Sequence, residues 1–218
     1  MYGKRLHREK MNLDLTQPIT LEGSRVRLEP LTMAHLPVLL EIAQLEEYPF
    51  TFIPKTEAGM RRYIQAALDD QARGNALPFL TMDKLAGQPV GSTRFVEFEY
   101  WFWAPDNHHY RPSVPDVVEI GWTWLAPQAQ RTSINTETKL LMLAHAFEVF
   151  GVRRVTLKTD ARNLRSRKAI ERLGAHFEGI LRTHRPAADG GIRDSAMFSI
   201  LAEEWPAVKA RLQGFLAL

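Results

Sequence analysis

Residues 130–136 (QRTSINT) place several hydrogen-bonding side chains between an apolar strand pattern and a long amphipathic helix pattern. Ser133, Asn135 and Thr136 offer side-chain oxygens near the expected helix start, where unpaired backbone N–H groups need acceptors. The same N–H groups, together with the positive end of the helix dipole, can instead face a phosphate, and Arg131 adds a positive charge. The segment therefore indicates either a phosphate-binding turn or an ordinary capped helix.

A basic stretch follows this helix. Between Arg153 and Arg193, Lys and Arg outnumber Asp and Glu by more than two to one. Such a positive field suits a polyanionic ligand, namely a nucleotide, a nucleotide-bearing cofactor or RNA, although a solvated charged surface is an equally simple explanation. The RNA-recognition signature K/R-G-F/Y-G/A-F is absent from the sequence, which argues against nucleic acid as a partner.

Other familiar catalytic and binding motifs are missing. The sequence contains neither a G-x-x-x-x-G-K-[ST] phosphate loop nor a G-x-G-x-x-G dinucleotide loop, and it has no G-x-S-x-G hydrolase turn. It has no cysteine and no H-E-x-x-H pair, and the adjacent His108 and His109 would point to opposite sides of a strand. We therefore expect no metal site, and the turn at 130–136 is the main candidate for chemistry.

The patterns around the turn indicate one α+β domain, with a mostly antiparallel sheet and helices on its faces. Residues 136–150 form the clearest helix, because apolar residues recur there at helical spacing (Leu140, Leu143, Ala144 and Phe147). The other predicted helices are TMAHLPVLLEIAQ, KTEAGMRRYIQAALDDQARG, NLRSRKAIERLG and EEWPAVKARLQGFL. Thr56 is expected to cap the second of these and Gly74 to close it, and Gly174 is expected to end the third. The predicted strands are SRVRLEPL, LPFLTM, PVGSTRFVEFEYWF, DVVEIGWTWLAP, RRVTLKTD, HFEGILRTHRP and IRDSAMFSIL.

Length and composition bound the class of protein. The chain has 218 residues, enough for one domain with a sizeable core, and a formal net charge of +3. No segment approaches the roughly 20 apolar residues of a membrane-spanning helix, and the start lacks the apolar region of a signal peptide. The absence of cysteine fits a reducing compartment, so we expect a cytoplasmic protein. We expect residues 1–20 to be a flexible basic extension, with Met11 as an alternative start, and residues 21–218 to form the domain.

Two blocks of the sequence resemble one large enzyme superfamily. Strand, turn and helix in VEIGWTWLAPQAQRTSINTETKLLMLAHAF, then strand and helix in RVTLKTDARNLRSRKAIERLGAHFEG, are similar to the GNAT superfamily of acetyl-CoA-dependent N-acetyltransferases. The nearest branch is that of the ribosomal-protein N-terminal acetyltransferases, and the similarity extends from about Ser24 to Leu212. The family's cofactor turn reads Q/R-x-x-G-x-G/A, whereas this chain has Ser133 and Asn135 at the two small positions. Asn tolerates the left-handed conformation and Ser is small, so we expect the turn still to hold a pyrophosphate.

The resemblance implies a GNAT-like N-acetyltransferase domain over residues 21–218, in which a mixed, mostly antiparallel sheet of about seven strands has splayed central strands. It implies acetyl-CoA as the cosubstrate. By their positions in the family motif, Asn163 would meet the pantetheine arm and Arg167 the 3′-phosphate, although a helix cap and a solvated charge are the plain alternatives. The remaining cofactor-binding positions would be Trp124, Leu125, Gln130, Arg131, Thr132, Ser133, Ile134, Asn135 and Thr136.

Acetyl transfer to an amine needs a base, because an alkylammonium has a pKa of about 10 and its lone pair must be freed. Glu119 is the first candidate, since strand alternation places it on the same face as Gly121 and Thr123. Its spacing to the turn also matches that of the catalytic glutamate in the histone-modifying branch of the superfamily. Glu97 is the fallback, and a half-buried structural carboxylate is the alternative interpretation of Glu119.

The reaction also needs a donor for the oxyanion and a proton for the leaving thiolate. The family implies a free backbone N–H near Leu125 for the oxyanion. The tyrosine that protonates the thiolate in many relatives falls at Ile170, which has no acidic hydrogen. Ser166, one helical turn earlier, is the nearby hydroxyl, and water is the alternative donor.

The acceptor is expected to be a primary amine, either a protein N-terminus or a small molecule, that attacks the thioester directly. It would enter from the side of the first two helices, near residues 100–116, an aromatic and proline-broken insertion. A packed hairpin or a homodimer contact is an equally good interpretation of that insertion. A non-catalytic, acyl-CoA-binding regulatory protein is the competing hypothesis, because the tyrosine and both glycines are replaced.

Overall fold

A computed structural model, which describes residues 14–217, contains eight strands and five α-helices. The strands are β1 (Leu21–Glu22), β2 (Val26–Pro30), β3 (Ala76–Asp83), β4 (Gln88–Glu99), β5 (Val117–Leu125), β6 (Arg154–Asp160), β7 (His176–Pro186) and β8 (Ile192–Leu201). The helices are α1 (Leu36–Gln44), α2 (Glu57–Ala72), α3 (Ser133–Ala144), α4 (Leu164–Leu173) and α5 (Trp205–Leu216). Short 3₁₀ helices precede α1 and α3 at Met33–His35 and Pro127–Ala129, and α3 continues as a π-helical turn over His145–Phe150.

All eight strands form one mixed sheet in the order β1-β2-β3-β4-β5-β6-β8-β7. Every neighbouring pair is antiparallel except β5 and β6, which run parallel. These two pair only where residues 117–119 face residues 154–156, and beyond Glu119 they separate. The expected α+β class and the splayed central strands are confirmed. The predicted count of about seven strands missed β1, because two residues are too few to show a period.

Helices cover both faces of this sheet. On one face, α1 and α2 bury Leu39 and Met60 against Leu80 of β3. On the other face, α3, α4 and α5 enclose a second cluster that includes Phe95 and Leu143. Burying each such side chain is worth roughly 1.5–3 kcal/mol relative to leaving it exposed, so these two clusters hold the helices against the strands.

The helix ends follow the signals in the sequence, with one exception. Thr56 caps α2 by accepting a hydrogen bond from Gly59 N, as expected. Gly74 beyond α2 and Gly174 beyond α4 adopt left-handed conformations, with φ of 72° and 105°. The exception is α3, which begins at Ser133 rather than at the predicted Thr136, because the cap is the earlier Thr132.

Two β-bulges in the β4–β5 pair alter which residues share a face. At the first, the register shifts between Ser92 and Arg94, so that two residues of β5 oppose one of β4, and Trp122 has φ 53°. At the second, Glu97 of β4 lies within a register shift and has φ 52°. A bulge reverses the alternation of side chains beyond it, and bulges often re-aim side chains next to active sites.

Residues 100–116, which connect β4 to β5, contain no helix or strand, so β4 ends before the predicted YWF segment. The buried carboxylate of Asp116 anchors this connection by accepting hydrogen bonds from Trp101 N at 2.9 Å and Arg153 Nε at 2.8 Å. Arg111 Nη1 also donates to Gly151 O at 2.6 Å. The insertion therefore packs against the turn that leads into β6.

Residues 1–13, most of the predicted extension, lie outside the described residues. Leu15 is buried in the core, and Gln71 Nε2 donates a hydrogen bond to Thr16 O at 3.3 Å. The boundary at residue 20 stays a prediction. None of the helices described here is long and apolar enough to cross a bilayer.

Candidate active site

The turn between β5 and α3, the candidate anion cradle, centres on Arg131 and Thr132. Thr132 caps α3, its Oγ1 accepting from Ile134 N at 3.2 Å and donating to Ala129 O at 2.7 Å. Arg131 has φ 59°, a left-handed conformation. The backbone N–H groups of Arg131 and Thr132 have no hydrogen-bond partner within residues 14–217. Free N–H groups at a helix N-terminus can bind an anion.

The two replaced glycine positions need no special backbone conformation. Ser133 and Asn135 both lie inside α3, and neither has a positive φ. The left-handed residue of the turn is Arg131, so the expectation that Asn135 would have to tolerate that conformation is wrong. The consequence of losing the glycines is therefore limited to the space that their side chains occupy.

Side chains of the turn contact four neighbouring segments, namely the α1–α2 connection, the end of β5, α4 and the β1–β2 connection. Gln130 Nε2 donates to Glu46 Oε2 at 2.6 Å and to Leu125 O at 3.0 Å, and its Oε1 accepts from Arg165 Nη1 at 2.9 Å. Ser133 Oγ accepts from Arg25 Nη1 at 3.2 Å. Gln130 thus fixes the turn to the end of β5 and to α4, with guanidinium groups on both sides.

Two predicted residues at the turn are buried. The Thr136 hydroxyl accepts a hydrogen bond from Arg172, and Ile134 belongs to the hydrophobic core. Their side chains are therefore structural, and any contact with a ligand at this turn would be made by their backbone.

The start of α4 lies beside the turn, through the Arg165–Gln130 hydrogen bond. Asn163 caps α4, its Oδ1 accepting from Ser166 N at 3.0 Å, which leaves its amide nitrogen without a partner in the described part of the chain. Arg167 Nη1 donates to Ala161 O at 3.3 Å, and its guanidinium lies 5.3 Å from the ring centre of Phe177. Both plain alternatives, a helix cap at Asn163 and a partly exposed cation at Arg167, are therefore present in the structure.

The residue at the expected tyrosine position is apolar and inward-facing. Ile170 is buried in the core among residues of α3 and α5, and it offers no proton. Ser166, one turn earlier, is half-buried, and its hydroxyl makes no hydrogen bond within the described residues.

Glu119 occupies the point where β5 and β6 separate, as the last residue of β5 paired with β6. Its side chain is on the face of Gly121: a β-carbon added there would come within 2.4 Å of Glu119 Oε1. Only 3% of Glu119 is exposed. Lys158 Nζ lies 2.6 Å from its Oε2, so the carboxyl forms an ion pair with this ammonium.

Burial raises the pKa of Glu119 to about 7; the Lys158 charge opposes this and the Glu97 charge adds to it. Glu97 reaches the same ammonium, with Oε2 at 2.6 Å from Lys158 Nζ, because the second bulge turns it to the Glu119 face. Although burial acts to raise it, hydrogen bonding to Lys158 and the charges of Lys158 and Arg185 hold the pKa of Glu97 below its ordinary value. The pKa values of the two carboxyls are thus pushed apart, that of Glu119 upward and that of Glu97 downward, which is the pattern of an acid–base pair.

Thr123 does not share the face of Glu119, contrary to the prediction from alternation. The bulge at Trp122 turns Thr123 to the α3 face, where its Oγ1 lies 2.7 Å from Thr93 Oγ1 and accepts from Lys139 Nζ at 2.6 Å. Burial lowers the pKa of Lys139 to about 7, and the Glu119 charge opposes this. The sequence carried a signal for this lysine, since it precedes the buried Met142 and Leu143 by one helical turn.

Tyr48, in the α1–α2 connection, is a further residue near the site that was not predicted from the sequence. Its hydroxyl donates to Leu125 O at 3.2 Å, next to the end of β5, and its ring packs edge-on against Trp124. Burial raises the pKa of Tyr48 to about 12, with the Glu46 charge adding to the rise, so this hydroxyl keeps its proton at neutral pH. Nothing in its sequence context connects it to Leu125.

Within residues 14–217, no three His, Asp or Glu side chains lie close enough together to hold a metal ion. The family model described as an acetyltransferase (GNAT) domain matches residues 25–176. None of the curated proteins matches the sequence.

Solved structures share the fold. A GCN5-related N-acetyltransferase from Brucella melitensis is 30% identical over 92% of this chain and 86% of that chain, with a TM-score of 0.76. Mycobacterium smegmatis RimJ in complex with CoA-disulfide is 21% identical over 91% of this chain and 95% of that chain, with a TM-score of 0.74. RimL, a ribosomal L7/L12 alpha-N-protein acetyltransferase in complex with coenzyme A, is 19% identical over 84% and 98%, with a TM-score of 0.63.

The likeness to RimJ and RimL, at these identities, is one of fold. The family model spans most of the chain, and the Brucella melitensis protein matches almost all of it. The resemblance carried by the two sequence blocks is thereby confirmed, and acetyl-CoA is the cosubstrate of this family. The chain belongs to the GNAT acetyltransferases.

Proposed function

We propose that this protein moves the acetyl group of acetyl-CoA to a primary amine by direct attack of the amine on the thioester. The observation that carries the proposal is the buried Glu119 carboxyl, with a pKa of about 7, at the separation of β5 and β6. A base whose pKa lies near the working pH is ionised often enough and still binds a proton well enough to be effective.

The turn fits the diphosphate of the cosubstrate. The free N–H groups of Arg131 and Thr132 point to an anion, and the Arg131 side chain supplies a positive charge. We assign the cofactor contacts to the end of β5, to the turn and to α4. The proposed contact residues are Trp124, Leu125, Gln130, Arg131, Thr132, Ser133, Ile134, Asn135, Thr136, Asn163 and Arg167.

In the proposed reaction, Glu119 accepts the proton of the incoming ammonium, which frees the lone pair for attack. Glu97 stays ionised and keeps Lys158 in place beside the base. A backbone N–H near Leu125 stabilises the oxyanion. Ser166, water and now the Tyr48 hydroxyl are the candidate donors to the departing thiolate.

The acceptor is a protein N-terminus or a small-molecule amine in this proposal. RimL is named for acetylating a ribosomal protein N-terminus, which makes such peptides a natural first choice to test. We further propose a cytoplasmic protein whose acetyltransferase domain covers residues 21–218, with the insertion at 100–116 as a candidate homodimer contact.

The competing function is acyl-CoA binding without transfer, favoured by the buried Ile170 in the tyrosine position. Thiol release from acetyl-CoA, measured with a panel of ribosomal-protein N-terminal peptides, polyamines and amino acids, separates the two. Amine-dependent thiol release supports the enzyme. Calorimetric binding of coenzyme A with no release by any amine supports the regulatory protein instead, and no binding at all contradicts both.

A further inference from the structure

Arg94 is a buried arginine on the α1/α2 face of the sheet. Only 3% of it is exposed. Its guanidinium carbon lies 4.3 Å from the ring centre of Tyr63 and 4.6 Å from that of Trp122, so the two aromatic rings hold the group in place. Such stacking fixes the plane of a guanidinium and leaves its N–H edge available for hydrogen bonds.

The guanidinium has no partner among residues 14–217. Its Nε and Nη2 atoms are buried without a hydrogen bond, and Arg94 takes part in none of the ion pairs of the described chain. Buried polar groups are almost always hydrogen-bonded, and a buried charge without a partner is costly. The planar N–H fork matches the two oxygens of a carboxylate.

Arg94 lines a cavity of about 440 Å³ between the α1–α2 connection, α2 and the β4–β5 pair. Two other charged groups at this cavity are already neutralised, since Asp70 accepts from Arg73 Nη2 at 2.7 Å and Lys55 pairs with Glu47. Arg62 at the rim adds a second cation, which forms no ion pair within the described residues. The remaining unpaired charge of the cavity is positive, as a site for an anion requires.

The cavity adjoins the proposed base. Arg94 pairs across the strands with Gly121, and the Glu119 carboxyl lies over that same glycine. Because Glu119 opposes Val96, two residues along β4, Arg94 and Glu119 are diagonal neighbours on one face, at positions about 7–8 Å apart. One small molecule with two functional groups can span that separation. Trp122, exposed at the bulge next to Gly121, forms part of the cavity wall.

We propose that the acceptor carries a carboxylate as well as an amine, and that Arg94 binds the carboxylate while the amine faces Glu119. This inference rests on the proposed acetyl transfer and narrows its substrate class. The carboxylate comes either from a free amino acid or from an acidic side chain near a peptide N-terminus, and the two sources are separate arms of the test.

Thiol release from acetyl-CoA is measured with pairs of amines, in which one member carries a carboxylate and the other carries a carboxamide at the same position. One arm compares free amino acids with their amides, and the other compares peptides with Asp or Glu against Asn or Gln at the second residue. We expect kcat/KM to be at least about tenfold higher for the acid in one arm, because a hydrogen bond to a charged group is lost in the amide. Equal values in both arms overturn the inference while leaving acetyl transfer intact.

Arg94→Gln should lower kcat/KM for the acid about tenfold and change kcat/KM for the amide by less than about twofold. With the acid, kcat/KM of Arg94→Lys should lie between those of the wild type and Arg94→Gln. The matched control is Arg61→Gln, on α2, whose guanidinium pairs with Glu57 and does not line this cavity. Equal losses for acid and amide in Arg94→Gln contradict a carboxylate contact.

Calorimetry of the same acid and amide with coenzyme A-loaded wild-type protein gives a readout that needs neither turnover nor a variant that folds. Tighter binding of the acid supports the site even if no amine is acetylated, in which case the proposed function fails alone. Equal binding of acid and amide, or binding of neither, overturns the inference.

Discussion

The two ends of the proposed active site are built in different ways. The anion cradle is made of consecutive residues, since its cap, its left-handed residue and its free N–H groups all lie at Arg131 and Thr132. The acid–base cluster instead draws Glu97 from β4, Glu119 from β5 and Lys158 from β6. A site made of consecutive residues can be recognised in a short stretch of sequence. A site assembled from several strands depends on strand register and bulges, which a short stretch does not show.

The same difference predicts how each end responds to substitution. In the cradle, the binding energy for an anion would be spread over backbone N–H groups and several exposed side chains, each of which contributes little alone. The cluster joins the buried Glu119 carboxyl and the mostly buried Lys158 ammonium to the exposed Glu97 carboxylate, so that removing one charge leaves a buried partner unbalanced. Substitutions in the cluster should therefore have larger effects than substitutions in the cradle.

Glu119→Gln should have the largest effect. Turnover is expected to fall at least tenfold, toward the roughly 100-fold typical of a lost general base, while coenzyme A affinity by calorimetry changes by less than about twofold. In the wild type, kcat/KM should rise with pH through about 7 as Glu119 loses its proton, and the variant should lack that rise.

Glu99→Gln, an exposed carboxylate at the end of β4, is the control for this substitution. It should leave both the rate and the pH profile unchanged. An undiminished rate in Glu119→Gln would rule Glu119 out as the base.

Lys139→Met tests the buried amine beneath the bulge through stability. The pKa of Lys139 is lowered from 10.5 to about 7, so between these values the unfolded chain binds a proton that the folded chain does not. Raising the pH across this window therefore stabilises the wild type. The difference in free energy of unfolding between the wild type and Lys139→Met should shift by about 2–3 kcal/mol in favour of the wild type from pH 7 to pH 9. Urea denaturation of both proteins at the two pH values measures this shift.

Lys168→Met, an exposed lysine on α4, is the matched control and should show no such change with pH. Parallel stability profiles for the wild type and Lys139→Met would mean that Lys139 is charged in the folded protein at pH 9.

The sequence predicted the architecture well because most of it rests on local signals. Thr56, Gly74 and Gly174 end or begin helices by their own backbone preferences, and each is where it was expected. The predicted start of α3 was wrong because the segment offers four residues that can cap a helix, namely Thr132, Ser133, Asn135 and Thr136. Which of them is used depends on the 3₁₀ turn before it, whose Ala129 carbonyl accepts from the Thr132 hydroxyl.

The acid–base cluster was predictable only in part. Glu119 could be named because its position in β5 follows from the order of strand and turn. The positive φ at Trp122 decides on which face of the sheet Thr123 lies. The positive φ at Glu97 decides that its side chain lies beside Lys158. Neither residue type favours that conformation, so the sequence around them reads as uninterrupted strand.

Arg167→Ala should have a moderate effect, because Arg167 is a partly exposed cation that also contacts its own segment at Ala161 O. Affinity for coenzyme A is expected to fall about threefold to tenfold, and affinity for 3′-dephospho-coenzyme A to change less, since an exposed ion pair is worth about 0–1 kcal/mol and a phosphate contact somewhat more. Calorimetry of both ligands is the measurement. Lys168→Ala, one residue along α4, is the control, and equal losses for the two ligands would remove Arg167 from the phosphate site.

Ser133→Gly should have the smallest effect, although it restores the family's glycine. Ser133 is already helical, so the glycine gains nothing from its backbone freedom and costs up to about 1 kcal/mol of helix stability. The lost hydroxyl frees Arg25, which keeps its pairing with Asp83 at 3.0 Å. Affinity for coenzyme A should therefore change by less than about twofold.

Arg131→Val provides the contrast, because a β-branched residue is strained at φ 59° and the positive charge is lost as well. Its coenzyme A affinity should fall further than that of Ser133→Gly, and Arg131→Gly, which keeps the conformation and loses only the charge, should lie between them. If Ser133→Gly instead bound coenzyme A about tenfold more tightly than the wild type, side-chain bulk at position 133 rather than the conformation of Arg131 would control the cradle.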